Sequence, residues 1–163
     1  MRILGLDPGL RHTGWGVVDK SGNRFTFVAA GVINPDVDLP LANRLAELHE
    51  SLVKVIQDYC PDSVAVEETF VNKNPASTLK LGQARGVVLM TPASMNIAVA
   101  EYTPNQIKKS ITGVGHAEKI QVDMMVHKLI ADVPDKLPPD AADALAMALC
   151  HAFHHNTDTL SKK

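Results

Sequence analysis

Apolar and polar positions fall into blocks along this chain, and their spacing predicts its elements before any side-chain chemistry is considered. Residues 2–7 form a short apolar run, RILGLD, closed by the turn signal Pro8-Gly9. Residues 13–19 (TGWGVVD) and 24–33 (RFTFVAAGVI) read as two further strands, separated by the turn residues Ser21-Gly22-Asn23. Consecutive strands with short turns predict an antiparallel meander. The period then changes. Leu41, Leu45, Leu48, Leu52, Val55 and Tyr59 recur at intervals of four and three, which sets one apolar stripe on a helix. Pro61 ends it. Residues 63–67 (SVAVE) are a continuous apolar run, as expected of a buried central strand reached by a helical crossover. A helix over 75–90, a strand over 97–102 and a short helix opened by Pro104 and ending near Gly113 follow. Helices over 117–130 and 140–154 complete the pattern, and the polar residues 156–163 predict a frayed tail.

This order predicts an α/β fold with a mixed five-stranded sheet flanked by helices, in one domain over 1–155 followed by the tail. Ribonuclease H-like proteins have this order. The actin-like ATPase core shares it, so order alone assigns no function. At 163 residues the chain is long enough for one sizeable core, and it carries no internal repeat.

Charge refines the picture through its distribution. The net charge of −2 argues against a generally basic nucleic-acid coat. Residues 36–68 are acid-rich, with only Arg44 and Lys54 as bases, whereas 71–120 carry Lys73, Lys80, Arg85, Lys108, Lys109 and Lys119 against Glu101 and Glu118. The middle of the chain can therefore form a local basic surface. Cys60 and Cys150 make neither a disulfide framework nor a zinc motif, and their apolar surroundings read as buried thiols. The chain shows no secretory signal and no stretch long enough to span a membrane, so a reducing cytoplasm fits best.

Against this background four carboxylates stand out. Asp7 ends the first apolar run and Glu67 ends the central one. Asp140 and Asp143 open the last helical pattern, three residues apart and therefore on one face. Acids at the ends of core strands are costly to desolvate unless a positive charge joins them. Hard oxygen donors gathered in this way suit Mg²⁺ or Mn²⁺. Strand alternation sends Glu67 and Glu68 to opposite faces, and parity groups Glu67 with Ala65. Pro138-Pro139 favours a helix start, whose partial positive charge helps keep Asp140 and Asp143 ionised. The alanines between and after them let that helix approach a crowded site. Together the acids would hold two metal ions about 4 Å apart for in-line phosphodiester displacement, with Asp7 as the natural bridging ligand.

The basic residues offer phosphate contacts. Lys119 lies just inside a helix that follows the glycine-punctuated segment TGVGH. Lys73, Lys80, Lys108 and Lys109 are further candidates, which position rather than specify. Phe70 leaves a strand into a polar segment and could stack on an unpaired base. His151 and His155, four apart, read either as a ligand pair or as part of a solvated helix end.

Several motifs in order, LGLDPGLRHTGWGVV, VAVEETF followed by NKN, STLKLGQARG, GVGHAEK and PPDAADALAMAL, resemble the RuvC-type crossover junction endodeoxyribonucleases from Leu4 to about His151. The resemblance implies a ribonuclease H-like fold, Mg²⁺ dependence and a homodimer that nicks a four-way DNA (Holliday) junction symmetrically. It also implies cooperation with a junction-migrating helicase complex of the RuvA and RuvB type in recombination and repair. By motif match it makes Asp7, Glu67, Asp140 and Asp143 the catalytic acids, Lys119 and Lys108 important basic positions, and Phe70 an aromatic acting on junction bases. The chain departs from the family at Glu68, where Gln is usual, and at Pro75 after Asn74. A dimer needs a surface that pairs with itself, and the 75–90 helix with Leu79, Leu81, Val87 and Val88 is the candidate. Other readings are a related nuclease acting on ribosomal RNA precursors, a sugar-kinase-like ATPase fragment, and a non-catalytic junction-binding module. The ATPase reading requires a second similar domain.

Overall fold

The structure, a computed structural model, describes residues 1–9, 11–68 and 74–160, with side chains as far as residue 155. Three strands, β1 (Arg2–Asp7), β2 (Thr13–Ser21) and β3 (Arg24–Ile33), form the expected antiparallel meander. Helix α1 (Leu41–Tyr59) crosses to β4 (Ser63–Glu67), which pairs parallel with β1. Helix α2 (Pro75–Ser94) leads to β5 (Ala98–Tyr102), parallel to β4. Helices α3 (Pro104–Thr112), α4 (Lys119–Leu129) and α5 (Pro139–Leu160) follow, with the short β6 (Ile130–Ala131) between α4 and α5. The sheet order is β5-β4-β1-β2-β3-β6.

The sheet therefore has six strands where the sequence predicts five. β6 is two residues long and pairs with Phe25 and Thr26 of β3. A pair that short has no period of its own; it forms because the end of α4 returns against the sheet edge. Helix α5 also runs to Leu160, past the expected end at 154.

Strand alternation sorts the side chains into two apolar layers. Leu4, Leu6, Val17, Val64 and Val66 pack with Leu48, Leu52 and Ile56 of α1 and Val88 of α2. Ile3, Val18 and Ala65 pack on the other face with Leu145, Met147, Leu149 and Ala148 of α5 and with Ile107, Val122 and Val126 of α3 and α4. Local chemistry starts the helices. Asn74 Oδ1 accepts from the Ala76 and Ser77 amides at 3.0 and 3.3 Å, so the Asn74-Pro75 pair caps α2. Thr103 and Gln106 cap α3 reciprocally.

Cys60 departs from the expected burial. It is exposed, because it forms the left-handed cap of α1 (φ 47°), its N–H bonded to Ile56 O at 2.8 Å. Cys150 is buried within α5, and burial pushes its thiol up to about 11.

Helix α5 lies directly on β1 and β2. A Cβ built at Gly5 would sit 2.0 Å from the Ala144 carbonyl oxygen, and one at Gly14 would sit 2.0 Å from the Asp140 carbonyl oxygen. Both obstacles are helix backbone, which cannot rotate away. Gly5→Ala is therefore expected to destabilise by about 3 kcal/mol or more, beyond ordinary overpacking, measured by urea unfolding. Gly82→Ala on α2, where a Cβ would meet nothing of its own chain within 4 Å, is expected to stabilise the single subunit by up to about 1 kcal/mol, read at protein concentrations low enough to keep the chain monomeric.

Candidate active site

The parallel pairing of β1 with β4 sets Leu6 opposite Val66. Asp7 and Glu67 are then neighbours at the same sheet end, and their carboxyls share a hydrogen bond. Helix α5 starts over this end and carries Asp140 on its first turn, with Asp143 one turn on. One carboxylate oxygen each from Asp7, Asp140 and Asp143 lie within 4.8 Å of one another. Glu67 lies on the face shared with Ala65, which packs in the α5 layer, while Val66 faces α1 and α2 and Glu68 is exposed.

This gathering is electrostatically costly. Burial first, then the Glu67 hydrogen bond and the charges of Glu67, Asp143 and Asp140, push the Asp7 carboxyl up to about 8. Burial also raises Glu67, a shift that Lys108 and Lys119 oppose. Lys119 Nζ donates to Asp143 Oδ2 at 2.8 Å, which raises the lysine's pKa. Its side chain is 56% exposed, so water screens this pair. The donors are hard oxygens, part-buried and crowded, and a divalent cation fits them by chemistry and by charge.

Other candidate residues fall in different places. Lys108 and Lys119 line a pocket of about 240 Å³ with Glu67 and Asp143, closed behind by Ile107, Val122 and Met147. Lys80 borders a separate cleft between α1 and α2. Lys109 is exposed on the last turn of α3 and lines neither cavity. Phe70 and Lys73 lie outside the described residues.

His151 fits neither expectation for it. It is buried at 9% exposure. Its ring nitrogens lie 2.8 Å from the Tyr102 hydroxyl and 3.1 Å from Ser63 Oγ. The histidine thus ties α5 to β5 and to the first residue of β4, at the end of that strand away from Glu67. Its neighbour on the helix face, His155, is exposed, with ring centroids 6.2 Å apart.

Sequence reasoning also missed Arg85. Its guanidinium pairs with Glu101 on β5, and its Nε donates to the Glu67 carbonyl oxygen at 3.4 Å. It clamps the end of β4 from the face opposite α5. The only signal was a basic residue inside the LGQARG motif.

A mixed sheet with acids at the ends of two parallel neighbours, and a covering helix that delivers two more, defines a ribonuclease H-like protein with a polyacidic site. Comparison with known proteins narrows this class. The family profile described as "Crossover junction endodeoxyribonuclease RuvC" matches residues 3–151. A protein of that name from Paramagnetospirillum magneticum (strain ATCC 700264 / AMB-1) is 58% identical over 159 residues, covering 96% of this chain and 94% of the relative. One from Rhodopseudomonas palustris (strain BisB18) is 53% identical over 163 residues, covering 100% and 93%. The structure of T. thermophilus RuvC in complex with Holliday junction substrate superposes with a TM-score of 0.90 at 34% identity, covering 98% and 97% of the two chains. The yeast mitochondrial Holliday junction resolvase Ydc2 shares the fold, with a TM-score of 0.66 at 12% identity, over 98% of this chain and 85% of its own. The chain belongs to the RuvC family of crossover junction endodeoxyribonucleases.

The raised Asp7 pKa has a thermodynamic consequence. A carboxyl whose folded pKa stands above its ordinary 3.8 contributes full stability below that value and loses it as pH rises through the folded value of about 8. In chelator, stability and Tm are therefore expected to fall steadily as pH rises across that window. A divalent cation should restore most of the loss at the alkaline end. Asp7→Asn should flatten the slope. Calorimetric scans across the pH series check all three outcomes.

Proposed function

We propose that this chain nicks four-way (Holliday) DNA junctions in recombination and repair, with Asp7, Glu67, Asp140 and Asp143 holding two Mg²⁺ ions, for which Mn²⁺ substitutes. The observation that carries this reading is the convergence of acids from β1, β4 and α5 within a RuvC-family fold. When bound, such ions lower the pKa of an attacking water and neutralise charge on the leaving oxygen.

The chain's own residues supply the remainder. Asp7, central among the acids, cannot carry full charge alongside Glu67 at neutral pH, so it is the group whose ionisation depends most on a bound cation. Asp143 is tied to the exposed ammonium of Lys119. Lys119 can exchange that carboxylate for a phosphate oxygen, and Lys108 can approach the same phosphate from its own side of the pocket. The Arg85 clamp holds the Glu67 end of β4, and the His151 bridge ties α5 to the opposite end of that strand. Phe70 acts in this reading on junction bases, and Lys73, Lys80 and Lys109 on phosphates.

Paired nicks require paired sites, and the outer face of α2 suits a homodimer. Leu79 and Met90 are 66% and 51% exposed. Gly82 and Gly86 lie on the stripe between them with open space above, which permits close backbone approach. Of the residues expected there, Val88 is instead fully buried in the core, because it lies on the opposite face of the helix. The protein acts in this reading beside a junction-migrating helicase complex of the RuvA and RuvB type. The reducing cytoplasm suits its two free thiols.

Two experiments test the proposal. Asp7→Asn and Glu67→Gln are each expected to slow Mg²⁺-dependent nicking of a synthetic four-way junction by about 10³-fold or more, while binding in chelator is retained. Nicking at the wild-type rate by either variant would remove these acids from the mechanism. The double variant Leu79→Glu with Met90→Glu is expected to sediment as a monomer where the wild type sediments as a dimer.

A further inference from the structure

On the face of the sheet opposite the Lys108–Lys119 pocket, a second cleft of about 220 Å³ opens between α1, α2 and the β1–β2 turn. Its chemistry is one-sided. Arg11 comes from the turn, Arg44 from the second turn of α1 and Lys80 from the second turn of α2, and the Thr13 and Ser77 side chains lie between them. None of the described residues lining it is acidic. The three come from remote segments of the chain, and Arg11 and Lys80 are exposed while Arg44 is part-buried. Next to Arg11, His12 Nδ1 lies 2.5 Å from Asn34 Oδ1, just past β3. Gly9, two residues after Asp7, lines the cleft, so it begins beside the acid cluster.

We propose that the Arg11–Arg44–Lys80 cleft seats a backbone phosphate of the bound DNA, outside the linkage that is cut and on the α1–α2 side of the sheet end. This rests on the nuclease reading above and extends it. The bound nucleic acid then touches the protein on both faces of the sheet, with the acids between. Guanidinium groups grip phosphate oxygens through two N–H donors at once, which makes Arg11 and Arg44 better anchors than lone ammonium groups. Such contacts set affinity and register, and leave the chemical step untouched.

The test is the salt dependence of junction binding in chelator, for Arg11→Ala, Lys80→Ala and Arg44→Gln. Arg24→Ala, at the far end of the β2–β3 hairpin, is the charge control. Each cleft variant is expected to reduce the slope of log K against log salt by about one and to weaken binding roughly tenfold at moderate salt. The control should move neither. In Mg²⁺, KM should rise while kcat at saturating protein is unchanged. Slopes equal to wild type for Arg11→Ala and Lys80→Ala, both exposed positions that leave folding intact, overturn the cleft even if the wild type nicks normally. If the wild type binds DNA with the expected slope losses but nicks no junction, the nuclease reading falls and the cleft stands. Inorganic phosphate at matched ionic strength probes a free anion. If it raises the Tm of the wild type and not of the cleft variants, while DNA slopes stay equal, the seat serves a free anion and the proposal is overturned.

Discussion

The site exists because helix α5 can touch the backbone of β1 and β2. Most helices rest on a sheet through a layer of side chains. Here that layer is missing at Gly5 and Gly14, and the carbonyls of Ala144 and Asp140 occupy the space a Cβ would need. Ala141, Ala144 and Ala148, all buried, keep the helix side equally thin. The helix entrance is thereby lowered until its first two acids reach the carboxylate that ends β1. A wider spacing would leave Asp140 and Asp143 as ordinary first-turn acids, stabilised by the helix dipole and solvated. The glycines of β1 and β2 are therefore part of the acid cluster although they carry no chemistry.

That closeness has an electrostatic cost, and the rest of the structure contains it. Asp7 is pushed far from its usual range chiefly by burial. Lys119 pairs with Asp143 and also opposes the Glu67 shift, but from a solvated position. Attachments away from the acids hold the strand ends in place. Arg85 grips the β4 backbone from one face, and the Ser63–His151–Tyr102 bridge joins β4, β5 and α5 from the other. The fold thus crowds the acids, and the raised Asp7 carboxyl holds its proton at neutral pH in response. A cation that replaced this proton would couple occupancy to stability.

Much of this was legible in the sequence, for reasons that differ by element. The stripe of α1 and the apolar run of β4 are periodic over their own length, so they could be placed without tertiary information. The acids were visible because ionisable groups at the ends of core strands have few ordinary explanations. β6 was not legible, since two residues have no period and the pairing partner lies in β3. His151 looked like a helix-end residue because the polar tail begins nearby, yet α5 continues past it and buries it. Cys60 looked apolar by its neighbours, although the turn out of α1 exposes it. Gly5 and Gly14 were plainly present, but a strand glycine does not announce which helix will press on it.

The basic cleft was hidden for the opposite reason. Counting charge along the chain assigns Arg44 to an acid-rich stretch, Arg11 to a turn and Lys80 to a separate helix. Folding brings Arg44 to the same cleft as Arg11 and Lys80, a meeting that their separation along the chain does not show. Alternation acts on the strands. On β1, odd positions carry Ile3, Gly5 and Asp7 toward α5, while Leu4 and Leu6 face α1 and α2. Period two in the sheet and period 3.6 in the helices thus deal the acids to one face and the Arg11–Arg44–Lys80 group to the other. The two faces meet at the C-terminal edge of β1, where Gly9, two residues after Asp7, lines the cationic cleft. A polyanion with a cation at its reacting centre is the ligand complementary to that edge.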